Sequence, residues 1–82
     1  MTKFFYVYIL QSDLDPRRLY TGLTDDLPTR VRTHNAGRVP YTAKWKLWRL
    51  KTYVAFSDRV RAVEFERYLK SASGRAFVKH RL

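Results

Sequence analysis

The alternation of apolar and polar positions opens with a strand. Phe4 to Leu10, FFYVYIL, is rich in aromatic and β-branched residues, with Phe4, Tyr6, Tyr8 and Leu10 on one face, and both faces are expected to be largely covered. The turn cluster SDLDP, Ser12 to Pro16, follows, and RRLYTGL reads as a second strand returning as a hairpin. Gly22 near its end marks a bulge or a close backbone approach. The period then becomes helical. In TDDLPTRVRTHNAG the N-cap is expected at Thr24 or Asp25, Asp26 and Pro28 fall in the first turn, and Gly37 is the stop. RVPYTAKWK, basic and weakly structured, is kept from helix by Pro40, and its Tyr41, Lys44, Trp45 and Lys46 are placed to meet a ligand. Leu47 to Phe56 alternates again, with Trp48, Leu50, Val54 and Phe56 assigned to the core face and Arg49, Lys51 and Tyr53 to the other. Ser57 is expected to cap a second helix that Gly74 ends, and RAFVKHRL reads as a short cationic helix packing through Phe77, with His80 on the surface. The order ββαβαα, beginning with a hairpin, predicts an α+β domain with an antiparallel or mixed sheet flanked by helices.

Three residues disturb this pattern. Leu27, Arg30, Val31 and His34 share one face of the first helix, and Ala62, Phe65, Glu66 and Leu69 share one face of the second. Taken singly, Arg30 is a snorkelling guanidinium, His34 a ring hydrogen-bonded near its helix end, and Glu66 half of an ion pair with an arginine. Taken together, an arginine, a histidine and a glutamate in buried stripes point to a site. Glu64 is different, because Arg61 and Arg67 flank it at helical spacing and make it an ordinary solvated position.

The 82 residues leave room for one domain, which buries only about 60% of its unfolded-chain surface. The absence of cysteine rules out disulfides and thiolate metal sites and is compatible with the cytoplasm. The N-terminal apolar run is too short to span a bilayer and reads as a core strand in place of a signal peptide. Seventeen Lys and Arg against seven Asp and Glu give a net charge of +10, spread from Lys3 to Arg81, so the folded surface itself is expected to bind a polyanion. No segment pairs a wide apolar helix face with lysines as a membrane-surface helix does, which makes nucleic acid the expected partner. Lys44, Lys46, Arg49, Lys51, Arg75 and Lys79 are the candidate contacts.

The motifs then become familiar. Tyr6-Val7-Tyr8 on the first strand, Tyr20-Thr21-Gly22 on the second, Leu27-x-x-Arg30-x-x-x-His34-Asn35 on a helix and Ala62-x-x-x-Glu66-x-x-Leu69-Lys70 on another resemble the GIY-YIG nuclease family across essentially the whole chain. The resemblance is to small single-domain bacterial members, which lack the DNA-binding extensions of homing endonucleases and excision-repair nucleases. Two positions depart from the pattern: Tyr6 stands at the leading glycine, and Pro28 lies in the helix's first turn.

The resemblance implies a three-stranded, mainly antiparallel sheet flanked by helices, in the order ββαβα plus a short C-terminal helix. It also implies a metal-dependent endonuclease acting on DNA with little sequence specificity, in repair or processing. Glu66 would hold one Mg²⁺ or Mn²⁺, and Arg30 would stabilise charge on the phosphate. Tyr8 would serve as general base or water-orienting group, Tyr20 would position water or phosphate, and His34 would relay a proton or hold a phosphate. Two other readings stand beside this one. The first is a nonhydrolytic nucleic-acid-binding module on the same fold. The second is a basic module that docks on a protein through Tyr41 and Trp45.

Overall fold

The computed structural model describes residues 3–82. The elements run in the order β1 (Phe5–Ser12), β2 (Leu19–Thr24), α1 (Leu27–Asn35), α2 (Pro40–Ala43), β3 (Trp48–Phe56), α3 (Arg59–Leu69) and α4 (Ala72–Arg81). β1 lies between β2 and β3, antiparallel to both. The architecture is therefore the α+β arrangement that the motifs imply, with one short helix added. Because β1 is central, both its faces are covered, which is why its sequence is nearly continuously apolar.

The two faces carry separate cores. Val7 and Ile9 pack with Ala62, Leu69 and Val78 under α3 and α4. Tyr8 and Leu10 pack with Leu27 and Trp48 under α1 and α2. Each fully buried aliphatic side chain in these layers contributes about 1.5–3 kcal/mol relative to an exposed one.

β3 serves both cores, and the single core face expected for it is corrected by a bulge. Ile9 pairs with Thr52 but Leu10 pairs with Leu50, which leaves Lys51 as the extra residue. Trp48 and Leu50 consequently face the Tyr8 side, whereas Val54 and Phe56, paired with Val7 and Phe5, face α3. Tyr53, paired with Tyr8, falls on the Tyr8 face and meets Tyr6 edge-on at 5.7 Å, so the residue at the leading-glycine position is packed by an aromatic partner. An extra residue reverses which face each later side chain meets, and strict alternation has no way to register it.

Helix ends differ from expectation by a residue or more. Asp26, not Thr24 or Asp25, caps α1, accepting from the Thr29 amide, and Pro28 sits in the first turn, where no backbone bond is lost. Gly37, with φ of 76°, ends α1 as expected, its amide bonding to the His34 carbonyl and the Arg38 amide to that of Thr33. Asp58, not Ser57, caps α3. Pro40 starts the four-residue α2 instead of preventing helix, because its ring suits a first helical position. Gly74 does not end α3. It lies inside α4, which begins at Ala72 with Ser71 as cap, and there a Cβ would overlap the Tyr68 carbonyl and the Leu69 backbone. The glycine lets α4 fold back against the end of α3.

Candidate active site

The covered face of α1 delivers Arg30 and His34 onto β1, where they meet Tyr8. The Tyr8 hydroxyl lies 2.9 Å from His34 Nε2, and Arg30 Nε donates to the same oxygen at 3.3 Å. On its other side His34 Nδ1 lies 2.8 Å from Thr42 Oγ1. Thr42 Oγ1 donates to the Val39 carbonyl at 3.3 Å, so its proton is committed and it accepts from His34. The assignment that leaves no donor in this line without an acceptor is the Nδ1–H tautomer of His34, whose Nε2 lone pair accepts the Tyr8 proton. The chain runs Arg30 to Tyr8 to His34 to Thr42 to Val39. Trp48 fastens it from beneath, its indole N–H donating to the Thr42 carbonyl at 2.8 Å. Asn35, one residue beyond His34, ties α1 to the Trp48 backbone through both its amide groups.

Tyr8, His34 and Thr42 are all fully buried. Gly22, paired with Tyr8 across the hairpin, makes this possible, since a Cβ there would overlap the Tyr8 hydroxyl. The close approach expected at Gly22 is therefore an approach to this tyrosine. Burial is the largest influence on Tyr8 and raises its pKa above 10.0, against the opposing pull of the Arg30 hydrogen bond. Burial, then the nearby Arg30 charge, lowers His34 from its ordinary 6.5. Tyr8 therefore rests as a neutral phenol and His34 as a neutral imidazole. The guanidinium is held charged, with its pKa raised first by the Tyr8 hydrogen bond.

Tyr20 is half-buried and forms the outer wall. Its ring lies 4.7 Å from that of His34, 6.3 Å from Tyr8 and 6.0 Å from Tyr41. Glu66 lies on α3, which packs on the opposite face of the sheet from Tyr8. Its negative charge adds to the upward pressure on the Tyr8 pKa. Lys70 holds the Glu66 carboxylate at 3.2 Å, so the ion pair is with the next helical turn and not with a distant arginine. Among the described residues no three His, Asp or Glu side chains gather as a metal cage. A lone, partly exposed carboxylate suits a hard cation that takes its remaining ligands from phosphate and water.

A groove of about 650 Å³ runs along the same edge of β2, lined by Leu19, Tyr20 and Thr21 together with Tyr41, Leu69 and Arg75 among others. Of the six basic positions singled out as nucleic-acid contacts, only Arg75 lines it. Lys44, Lys46, Lys51 and Lys79 are exposed elsewhere, and Arg49 pairs with Asp13 at 3.1 Å. Arg17 and Lys70 line the groove and were not among those six. Lys70 had one sequence signal, its i+4 spacing from Glu66; Arg17 sits in a turn and had none. Thr42 was missed as well, because a threonine in a loop-like stretch carries no periodic signal. Trp45 packs against the Tyr8 core with Arg18 over its ring at 4.2 Å, so it does not form an open apolar patch with Tyr41.

The chain that carries two tyrosines on paired strands, a helical arginine and histidine, and a glutamate on α3 has relatives in sequence. A family model described as the GIY-YIG catalytic domain matches residues 4–80. The chain belongs to the GIY-YIG family. Among GIY-YIG relatives, a UPF0213 protein of Lacticaseibacillus paracasei is 40% identical over 84% of this chain and 76% of its own length. A UPF0213 protein of Haloquadratum walsbyi is 38% identical over 87% of this chain and 79% of its own. The structure-specific endonuclease subunit SLX1 of Scheffersomyces stipitis is 40% identical over 77% of this chain. This GIY-YIG chain spans only 21% of that subunit's length, so the likeness is to one part of it. Membership supports a nuclease function and a nucleic-acid substrate. No described helix is long and apolar enough to cross a membrane.

Proposed function

We propose that the protein is a divalent-metal-dependent endonuclease that hydrolyses DNA phosphodiesters with little sequence specificity. The observation that carries this reading is the hydrogen-bonded line from Arg30 through Tyr8 to His34 Nε2, with the Glu66 charge within electrostatic reach of Tyr8. Hydrolysis requires a proton taken from water, charge neutralised on the nonbridging oxygens, and stabilisation of the leaving oxygen. Arg30 is the partly exposed member of the line and meets the phosphate first, since its fork suits two parallel bonds to phosphate oxygens. Its departure uncovers the Tyr8 oxygen, which otherwise lies sealed behind Gly22. Tyr8 then takes a proton from the attacking water while passing its own to His34 Nε2, so no free phenolate accumulates. Tyr20, on the groove wall, orients the water or phosphate. Glu66 would hold Mg²⁺ or Mn²⁺, which when bound supplies Lewis-acid stabilisation of the departing 3′ oxygen.

The sealing of Tyr8 also favours a second reading, in which Arg30 stays on Tyr8 and the domain binds nucleic acid without cutting it. Labelled single-stranded, duplex, flapped and branched DNA incubated with Mg²⁺ or Mn²⁺ separates the two. The endonuclease yields metal-dependent products that disappear in Glu66→Ala, Arg30→Ala and Tyr8→Phe. Binding without products under either metal establishes the second reading in its place.

A further inference from the structure

We propose that the groove along the free edge of β2 is a binding site for an unpaired DNA strand, seated on Tyr41 and delivered past Tyr20 to the reaction centre. The inference deepens the nuclease reading by naming the form of DNA that the site takes. Three observations carry it.

The first is the exposure of Tyr41. The residue is 74% accessible, unusual for an aromatic next to a core of tyrosines, and its ring lies 6.0 Å from that of Tyr20, centroid to centroid. α2 turns Thr42 inward to His34 and Tyr41 outward to the groove, so one short helix supports both the buried relay and an aromatic platform. Every base offers a π-face to such a platform, but only a base outside a duplex can reach it.

The second is charge. Arg17, Lys70 and Arg75 line the groove from three different segments, around a floor of Leu19, Leu69 and Val78. Arg75 forms no ion pair among the described residues, whereas Arg17 is shared with Asp15 and Lys70 with Glu66. Cations around an apolar floor with an aromatic lip suit a strand that presents phosphates on one side and bases on the other.

The third is position. The groove follows the free edge of β2, with Leu19 and Thr21 belonging to one face of the sheet and Tyr20 to the other. Tyr20 is both groove wall and neighbour of His34, and Lys70 is both groove wall and partner of Glu66. A strand lying in the groove is thereby threaded between the two halves of the site. The groove's volume of about 650 Å³ is in the range of small-ligand clefts and far below what a duplex occupies.

The test is binding in EDTA, where no turnover occurs, measured by fluorescence anisotropy with a labelled oligothymidylate and with a duplex of equal length. The single strand is expected to bind more tightly than the duplex. Tyr41→Ala is expected to weaken single-strand binding by about fivefold or more, with Tyr41→Phe near wild type, because a stacked base is lost in one and kept in the other. Arg75→Ala is expected to weaken it too. Equal affinity for the two DNAs, or a Tyr41→Ala variant that binds like wild type, overturns the proposal. Tyr41 is exposed, and matched circular dichroism of the variants excludes unfolding as the cause. Cleavage is scored separately with metal. Tyr41-dependent binding without cleavage keeps the groove and removes the nuclease, whereas cleavage with Tyr41-independent binding does the reverse.

Discussion

His34 has two nitrogens and only one can be the acceptor that Tyr8 needs. Thr42 decides which, because its own proton goes to Val39 and leaves it an acceptor towards Nδ1. Thr42→Val keeps the shape but strands a buried N–H, at a cost of about 1–3 kcal/mol. The expected result is a shift of His34 toward the Nε2–H tautomer, visible in its ¹⁵N resonances, with a fall in cleavage rate that Thr42→Ser restores. Unchanged ¹⁵N shifts would remove Thr42 from this role. His34 also sets a pH dependence. Its folded pKa lies below 6.5, so the unfolded chain binds more protons between those two values. Stability from this group is complete above about pH 6.5 and declines as pH falls from there toward the lowered folded pKa. Cleavage is expected to drop on the same acid side, since protonated Nε2 accepts nothing from Tyr8. Titration of the His34 ring signals by NMR locates the midpoint, and a midpoint above 6.5 would contradict the burial argument.

At the scale of elements, the joints carry the most specific requirements. Gly74→Ala would drive a methyl group into the Tyr68 carbonyl and Leu69 backbone, and neither is a side chain that can turn away. The corner between α3 and α4 must open, for a loss of about 2 kcal/mol and a Tm lower by roughly 10 °C. Thermal unfolding of the variant measures this, and an unchanged Tm would mean that the corner is looser than its contacts show. The two glycines also show what the sequence made legible. Gly22 sat beside a tyrosine motif on a strand, and the close approach expected there is present. Gly74 followed a helical run with SASG around it and looked like a stop, because nothing local signals that a second helix must touch the first. The β3 bulge was hidden for a related reason: LWRLKTYVAF alternates well, and only pairing with β1 reveals that Lys51 has no opposite residue. Arg30, His34 and Glu66 were legible because a strongly polar group in an apolar stripe violates a local rule. Thr42 and Arg17 violate none, and their importance lies in three-dimensional neighbours alone.

At the scale of the molecule, a charge of +10 on a body of 34 × 30 × 18 Å attracts any polyanion. Total charge therefore does not distinguish a built strand site from general stickiness, whereas the salt dependence of binding does. A single strand that replaces counterions at Arg17, Arg30, Lys70 and Arg75 alone gives log K against log salt a slope of about −3. A strand smeared over the whole basic surface engages Lys44, Lys46, Lys51 and Lys79 as well, and its slope is steeper. Arg75→Ala is expected to flatten the slope by about 0.7, the contribution of one phosphate contact. Lys79→Ala removes the same charge from α4, outside the groove, and is expected to leave the slope where it was. Equal flattening by both variants would show that charge acts as a diffuse field. Flattening by Arg75→Ala alone would locate the strand along β2, within reach of Arg30 and Glu66.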